Sequence, residues 1–265
     1  MKQTEDFQAE AHALATILAE LSPEDWTRAT QFKNWTVNDV MVHLHFWNMA
    51  ADVSYTDPDR FAALMAEALP AFKDQGMRAF ENAQVKERGS ELFSAWLELV
   101  DDMAKRWENV DGKTRLAWAG PDMSARSMMT ARQMETWAHG QEIFDLFGRE
   151  QPQDDRIQNI VFLGVNTFAW SHQVHGQPVP DSLPELRLTA PSGEIWAYGA
   201  AGSGELIEGD AVEFAQVVAQ TRNIADTSLV VQGEVAKNWM RIAQCFAGPP
   251  ETPPERGARF RVTTA

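Results

Sequence analysis

Glu135 and His139 stand four residues apart in Met134-Glu135-Thr136-Trp137-Ala138-His139. On a helix that spacing projects both side chains from one face, a single turn apart. A carboxylate oxygen and an imidazole nitrogen so placed reach one divalent ion at about 2 Å each. Met134, Trp137 and Ala138 are apolar, so this helix is expected to be largely buried, where an ionised Glu needs a cation or hydrogen-bond partners. An exposed ion pair uses the same spacing, and the pair alone leaves both readings open. The chain holds six histidines, and the second close pair lies in Asp39-Val40-Met41-Val42-His43-Leu44-His45-Phe46-Trp47. Two residues apart, His43 and His45 cannot share a helix face, so at most one of them points into a given site. His43 aligns with Val40 and Trp47 on the stripe expected to face the interior, and His45 with Met41, Val42 and Met49. For either one alone, a hydrogen-bonded structural histidine is the commoner role. Three ligands of this type with a position left open are the pattern of a catalytic zinc site, where water or substrate completes the shell. Ni²⁺, Fe²⁺ and Co²⁺ accept the same donors.

Helices must position these residues. Apolar residues at helical spacing predict a helix from about Asp6 to Leu21, and Ser22-Pro23-Glu24-Asp25 opens a short helical turn. Thr36 with Asp39 three residues on reads as a capped start for a helix from Val37 to the Ala50 region. Further helices are expected from Asp57 to about Asn82, from Ser90 to Trp107, from Ser124 or Ser127 to Phe147 with Gly148 ending it, and from about Asp154 to His172. Long helices joined by modest loops point to a bundle. After His175 the punctuation changes. Gly176 to Pro184 reads as an extended linker, and the runs Leu186–Thr189 and Glu194–Tyr198 as a hairpin. Leu206-Ile207 and Ser228–Gln232 are strand-like, with helices through Val212–Val218 and from Glu234 to about Phe246. The expected organisation is mainly α: a helical bundle over 1–175, a small α+β domain over 176–250 and a loose tail over 251–265.

Bulk properties narrow the chemistry. The formal net charge of −15 argues against nucleic acid as a partner, because that affinity rests on Lys and Arg neutralising phosphates. Cys245 is the sole cysteine, which excludes an intrachain disulfide and any multi-cysteine metal site. Its apolar surroundings make it a small buried hydrophobe rather than a nucleophile. No signal-peptide pattern is seen, and no apolar run approaches the roughly 18 residues of a membrane span. The expected location is cytoplasmic, with neither membrane nor nucleic acid as partner.

The motif Trp35-Thr36-Val37-Asn38-Asp39-Val40-Met41-Val42-His43-Leu44, paired with Glu135-Thr136-Trp137-Ala138-His139, resembles the DinB-like metal-binding bundle. More narrowly it resembles the group around mycothiol-dependent maleylpyruvate isomerase, whose pattern is W-T-V-x-D-V-x-x-H-L followed about ninety residues later by E-x-x-x-H. Trp196, Ile207–Ala211, Arg222-Asn223 and Leu229–Trp239 are similar to that family's C-terminal domain, so the resemblance spans nearly the whole chain. It implies a DinB-like four-helix bundle followed by the small α+β domain, with His43, Glu135 and His139 as metal ligands and His45 not among them. The implied metal is divalent, zinc before the alternatives.

The resemblance further implies a low-molecular-weight thiol such as mycothiol or glutathione, held as thiolate and added to an electrophile. A small unsaturated acid is the implied substrate, and the chain then needs no nucleophile of its own. A cation is expected for the acid groups of thiol or substrate. Arg222 is the catalytic candidate, with Arg126 and Arg132 as alternatives near the ligand helix. Trp47, like Trp137 and Trp170, is a candidate wall of the cofactor pocket, a role that competes with core packing. Two other readings use the same three ligands: hydrolysis through metal-bound hydroxide, and a non-catalytic metal-binding module.

Overall fold

Thr36 starts the helix that carries His43. Its hydroxyl accepts from the Asp39 amide at 3.1 Å, and the Asp39 carboxylate accepts from the Thr36 amide at 2.9 Å. This reciprocal cap satisfies two amides that a helix start otherwise leaves without partners. A computed structural model of the chain describes residues 1–263. In its first part, α1 (Lys2–Leu18) is followed by a 3₁₀ turn at Asp25–Thr27, then α2 (Val37–Thr56), α3 (Pro58–Asp74), α4 (Met77–Gln84) and α5 (Gly89–Trp107). A two-stranded ribbon, β1 (Arg115–Leu116) antiparallel to β2 (Met123–Ser124), leads into α6 (Ala125–Leu146).

Helices α1, α2, α5 and α6 close a bundle, because α1 packs on α5 and α6 while α2 packs on the same two. Helices α3 and α4 cover the remaining side of α2. The five consecutive residues from Val40 to Leu44 are all buried, which a helix allows only when it is covered all round. Helix α6 is buried almost as completely from Met128 onward. The two helices carrying the candidate ligands are therefore the most enclosed of the bundle, so their polar side chains must find partners inside it. One such partner set ties α2 to α5: Asp52 accepts from Arg106 at 2.7 and 3.2 Å and from the Trp107 indole at 2.9 Å.

Two expected helices are interrupted. The helix expected over 57–82 breaks at Gln75 and Gly76, where Gly76 takes φ +87° and caps α4. Glycine adopts that conformation without steric cost, and the break re-aims Phe80 and Glu81. The stretch expected as one helix from Asp154 to His172 is a 3₁₀ turn (Asp155–Ile157), then α7 (Gln158–Asn166) and α8 (Phe168–Val174), parted at Thr167.

Packing divides the chain at Phe147 and Gly148 rather than at the proline-rich stretch near 176. Helix α7 packs against α9 (Ala211–Val218) and α8 against α10 (Glu234–Ile242), so both belong with the later elements. Gly164 on α7 allows that approach, since a Cβ there would lie 2.8 Å from a Val218 methyl. The second unit holds a four-stranded sheet of β3 (Glu185–Thr189), β4 (Ile195–Tyr198), β5 (Leu206–Asp210) and β6 (Val230–Gln232), ordered β4-β3-β5-β6. β3 and β4 form the expected hairpin, β5 runs parallel to β3, and β6 is antiparallel to β5. Of the tail expected to be loose over 251–265, the described part is tied down, with Asn223 donating to the Pro254 carbonyl, Asp226 accepting from the Gly257 amide and Arg259 donating to the Gln220 carbonyl, while 264–265 lie outside the described residues. No helix among the described residues is long and apolar enough to cross a membrane.

Candidate metal centre

Helices α2 and α6 bring His43, Glu135 and His139 together, with one potential ligand atom from each lying within 4.8 Å of the others. His43 Nε2 is 3.5 Å and His139 Nε2 is 3.4 Å from the same Glu135 oxygen, Oε2. Charge-assisted N–H···O⁻ bonds are shorter, about 2.7–2.9 Å. Two ligands each about 2.1 Å from a tetrahedral ion stand about 3.4 Å apart. Both imidazole nitrogens thus stand from the Glu135 oxygen at the separation of neighbouring ligands in a coordination shell.

Both rings are held from behind by carboxylates. His43 Nδ1 donates to Glu81 Oε1 at 2.9 Å, and His139 Nδ1 donates to Glu142 at 3.2 Å. A carboxylate on Nδ1 fixes the ring and leaves Nε2 to face a metal, the usual support of a metal-bound histidine. Glu81 is fully buried on α4, and the same Oε1 accepts from the Trp47 indole at 2.7 Å. Sequence reasoning missed both supports. Glu142 had a legible signal, lying three residues beyond His139 on the same helix face. Glu81 had none, because its position depends on the break at Gly76.

Aromatic rings close the sides. The Trp35 ring lies 5.4 Å from that of His43 and 6.0 Å, stacked, from that of His139, while Phe32 meets His139 edge-on at 5.2 Å. The two imidazoles are nearly buried at 8% and 10% side-chain exposure, whereas Glu135 is 21% exposed. A cleft of about 470 Å³ is lined by Trp35 together with Lys33, Gln75, Met77, Arg78 and Asn82.

The electrostatics suit a dication. Burial by itself would lower the His139 pKa, but the charges and contacts of Glu142 and Glu135 outweigh it and raise it to about 10. His43 is raised as well: burial opposes, and the Glu81 carboxylate with Glu135 prevails. Glu135 is held well below the usual carboxylate range against the effect of its burial, by the two imidazoles and the Arg132 guanidinium. The surrounding carboxylates thus favour positive charge at both imidazoles, the charge that a dication would supply in their place. Residue types, separations and charge all fit a divalent metal.

Residues 7–144 match the family model of the mycothiol maleylpyruvate isomerase N-terminal domain, a span of more than half the chain that contains all three residues. The chain belongs to that family. Two uncharacterized proteins of Mycobacterium tuberculosis, from strains CDC 1551 / Oshkosh and ATCC 25618 / H37Rv, are each 36% identical to it over 248 residues. Each alignment covers 92% of this chain and 95% of the relative. Among solved structures, the mycothiol-dependent maleylpyruvate isomerase has the same fold, with a TM-score of 0.54 at 14% identity, covering 83% of this chain and 88% of that one. A point mutant of that enzyme superposes with a TM-score of 0.55 at 13% identity and the same coverage.

Within this family member the remaining expected residues are placed unequally. Trp47 adjoins the cluster, 6.3 Å from the His43 ring and bonded to the Glu81 carboxylate behind it. Arg132 is buried one turn before Glu135 on α6. Arg126 is exposed at the start of α6, about 13 Å along the axis from Glu135, and lies over Gly112. Arg222 belongs to the second unit, where it donates to the Thr221 carbonyl, whereas the triad and the carboxylates behind it come from the first. His45 sits on another face of α2 with its Nδ1 buried and unpartnered, and burial lowers its pKa.

Glu81→Gln is expected to weaken metal binding by about 10- to 100-fold, the usual cost of losing a carboxylate behind a ligating histidine. Competition against a chelator of known affinity measures this. Unchanged affinity would mean that Glu81 only packs against α2.

Proposed function

We propose that this chain is a metal-dependent enzyme that uses a low-molecular-weight thiol, mycothiol or glutathione, as its nucleophile. The reaction is isomerisation of an unsaturated acid of the maleylpyruvate kind or, failing that, transfer of the thiol to an electrophile. The observation that carries this reading is the convergence of two carboxylate-backed Nε2 atoms on one Glu135 oxygen at coordination separations. His43, Glu135 and His139 would hold the ion, zinc by preference, which would supply stabilisation of a thiolate by lowering the thiol pKa.

The rest is work for the chain's own residues. Glu81 and Glu142 orient the imidazoles and make them better donors. Trp35 and Phe32 cover the ring faces and exclude water. Trp47 holds Glu81 in place and, through its ring, forms part of the wall. Cys245 is buried in the second unit, in keeping with a nucleophile supplied from outside the chain. Arg222 remains the candidate cation of the second unit for acid groups on thiol or substrate, and Arg126 the alternative at the start of α6. The substrate is a small molecule.

The test uses protein loaded with Co²⁺. Adding mycothiol, glutathione or cysteine is expected to produce a thiolate-to-cobalt absorption band, and the S-methyl derivatives to produce none. Maleylpyruvate is then expected to convert to its trans isomer only when metal and thiol are both present. A cobalt spectrum indifferent to all three thiols would defeat the proposal.

A further inference from the structure

Arg132 is only 4% exposed, yet its Nε and Nη1 have no hydrogen-bond partner. A guanidinium stays protonated in proteins, so a buried one lacking acceptors is costly. Burial indeed works against its charge, and only the more distant fields of Glu135 and Glu81 offset it. Neither carboxylate accepts a hydrogen bond from it. Glu135 Oε2 faces the two imidazoles, and Glu81 Oε1 is taken by His43 and Trp47.

The surroundings place this group in the wall of the metal centre. Arg132 and Glu135 are three residues apart on α6, hence on one face. The guanidinium carbon lies 5.6 Å over the Trp118 ring, and Trp118 in turn meets Trp47 at 5.3 Å and Phe61 at 6.0 Å. Trp118 stands in the loop between β1 and β2, pinned where Ser54 donates to the Ala117 carbonyl. The ring offers the guanidinium no hydrogen-bond acceptor, so Nε and Nη1 stay buried and unpaired, the two donors that a planar oxyanion engages in bidentate fashion. A dication held by Glu135 would take up part of the charge that compensates the guanidinium and so favour an external anion beside it.

We propose that Arg132 is the carboxylate receptor of this centre, binding the acid group of the small unsaturated substrate beside the triad. It is thus a specificity-determining residue for a monoanionic or dianionic acid over its neutral analogues. This inference rests on the function proposed above and assigns the substrate's anchoring charge to the bundle itself.

Zinc-loaded full-length protein, without thiol, is titrated with maleate, fumarate and dimethyl maleate, followed by calorimetry and by tryptophan fluorescence. The acids are expected to bind and the ester not. Arg132→Lys keeps the charge but loses the fork, and should weaken binding about tenfold; Arg132→Met should weaken it about 100-fold. Both variants should keep their zinc, and maleate binding is read without thiol while the thiol reading is read from the cobalt band of the wild type, so a failure of this assignment is distinguishable from a failure of the functional reading. If Arg132→Met does not fold or load zinc, Arg132→Lys decides alone. Wild-type affinity for maleate in the variant that decides, equal binding of the ester, or no binding of maleate by the wild type would each overturn the assignment. The first of these would mean that the acid sits on the metal alone and that Arg132 is compensated internally, by Glu81 or a water between them.

Discussion

Glu135→Gln is expected to abolish stoichiometric metal binding while leaving the bundle folded. Gln has nearly the same volume and keeps a carbonyl oxygen near the two Nε2 atoms, but it removes the one anionic member of the triad. Both imidazoles face the same carboxylate oxygen, at 3.5 and 3.4 Å, so that atom is common to both contacts in the cluster. The loss should therefore exceed the roughly 10- to 100-fold that follows removal of a carboxylate behind a ligand. His43→Ala and His139→Ala should lose metal too, but each also strips a partner from a buried carboxylate, Glu81 or Glu142, and so weakens the fold itself. Glu135→Gln separates the two effects. At metal concentrations about 100 times the dissociation constant, the wild type gains about 2.7 kcal/mol of stability that this variant should lack. Metal analysis after dialysis and melting curves with and without zinc measure both. One equivalent of zinc retained at wild-type affinity would remove Glu135 from the ligand set.

Rising pH is expected to destabilise the metal-free protein and to strengthen metal uptake over the same range. His139 has its pKa raised to about 10 in the folded chain, against an ordinary value of 6.5, and His43 moves in the same direction. A raised pKa contributes stability that is fully present below pH 6.5 and is lost as pH climbs towards 10. Glu135, held low, contributes in the opposite sense: its share is present above the ordinary value of 4.5 and is lost on strong acidification. Metal-free protein should accordingly be most stable between about pH 4.5 and 6.5, the two ordinary values. Metal requires both Nε2 atoms deprotonated, so its affinity should climb as the free protein weakens, and loading at neutral pH should release more than one proton. Melting temperatures across pH with zinc or with chelator, together with proton release in weakly buffered dye, test this. A metal-free melting temperature that rises from pH 6.5 to 9 would contradict it.

Much of the bundle was legible in the chain. Thr36 with Asp39, and Ser124 before the ligand helix, announce helix starts through local chemistry that needs no distant contact. His43 over His45 was undecided by spacing, since both lie near apolar stripes, and was chosen only by the resemblance of the W-T-V-x-D-V-x-x-H-L motif. The break at Gly76 was not legible, because a single glycine in a helical pattern is often tolerated and only its positive φ reveals the turn. The ribbon of β1 and β2 escaped for a different reason: two-residue strands carry no periodicity. Packing divides the chain before the proline-rich stretch near 176 because that stretch is local punctuation, whereas membership of α7 and α8 is decided by what they pack against.

The pairing of Glu135 with His139 is written in the sequence as a four-residue spacing on one helix, and His43 is distinguished from His45 there only by the resemblance of its motif. What surrounds them was set by the tertiary structure. Glu81 arrives from a helix 38 residues beyond His43, and Arg132 loses its solvent only because the bundle closes over it. Helical periodicity records which face of a helix turns inward. It does not record which buried charge meets which, since that depends on distances between helices that no local pattern encodes.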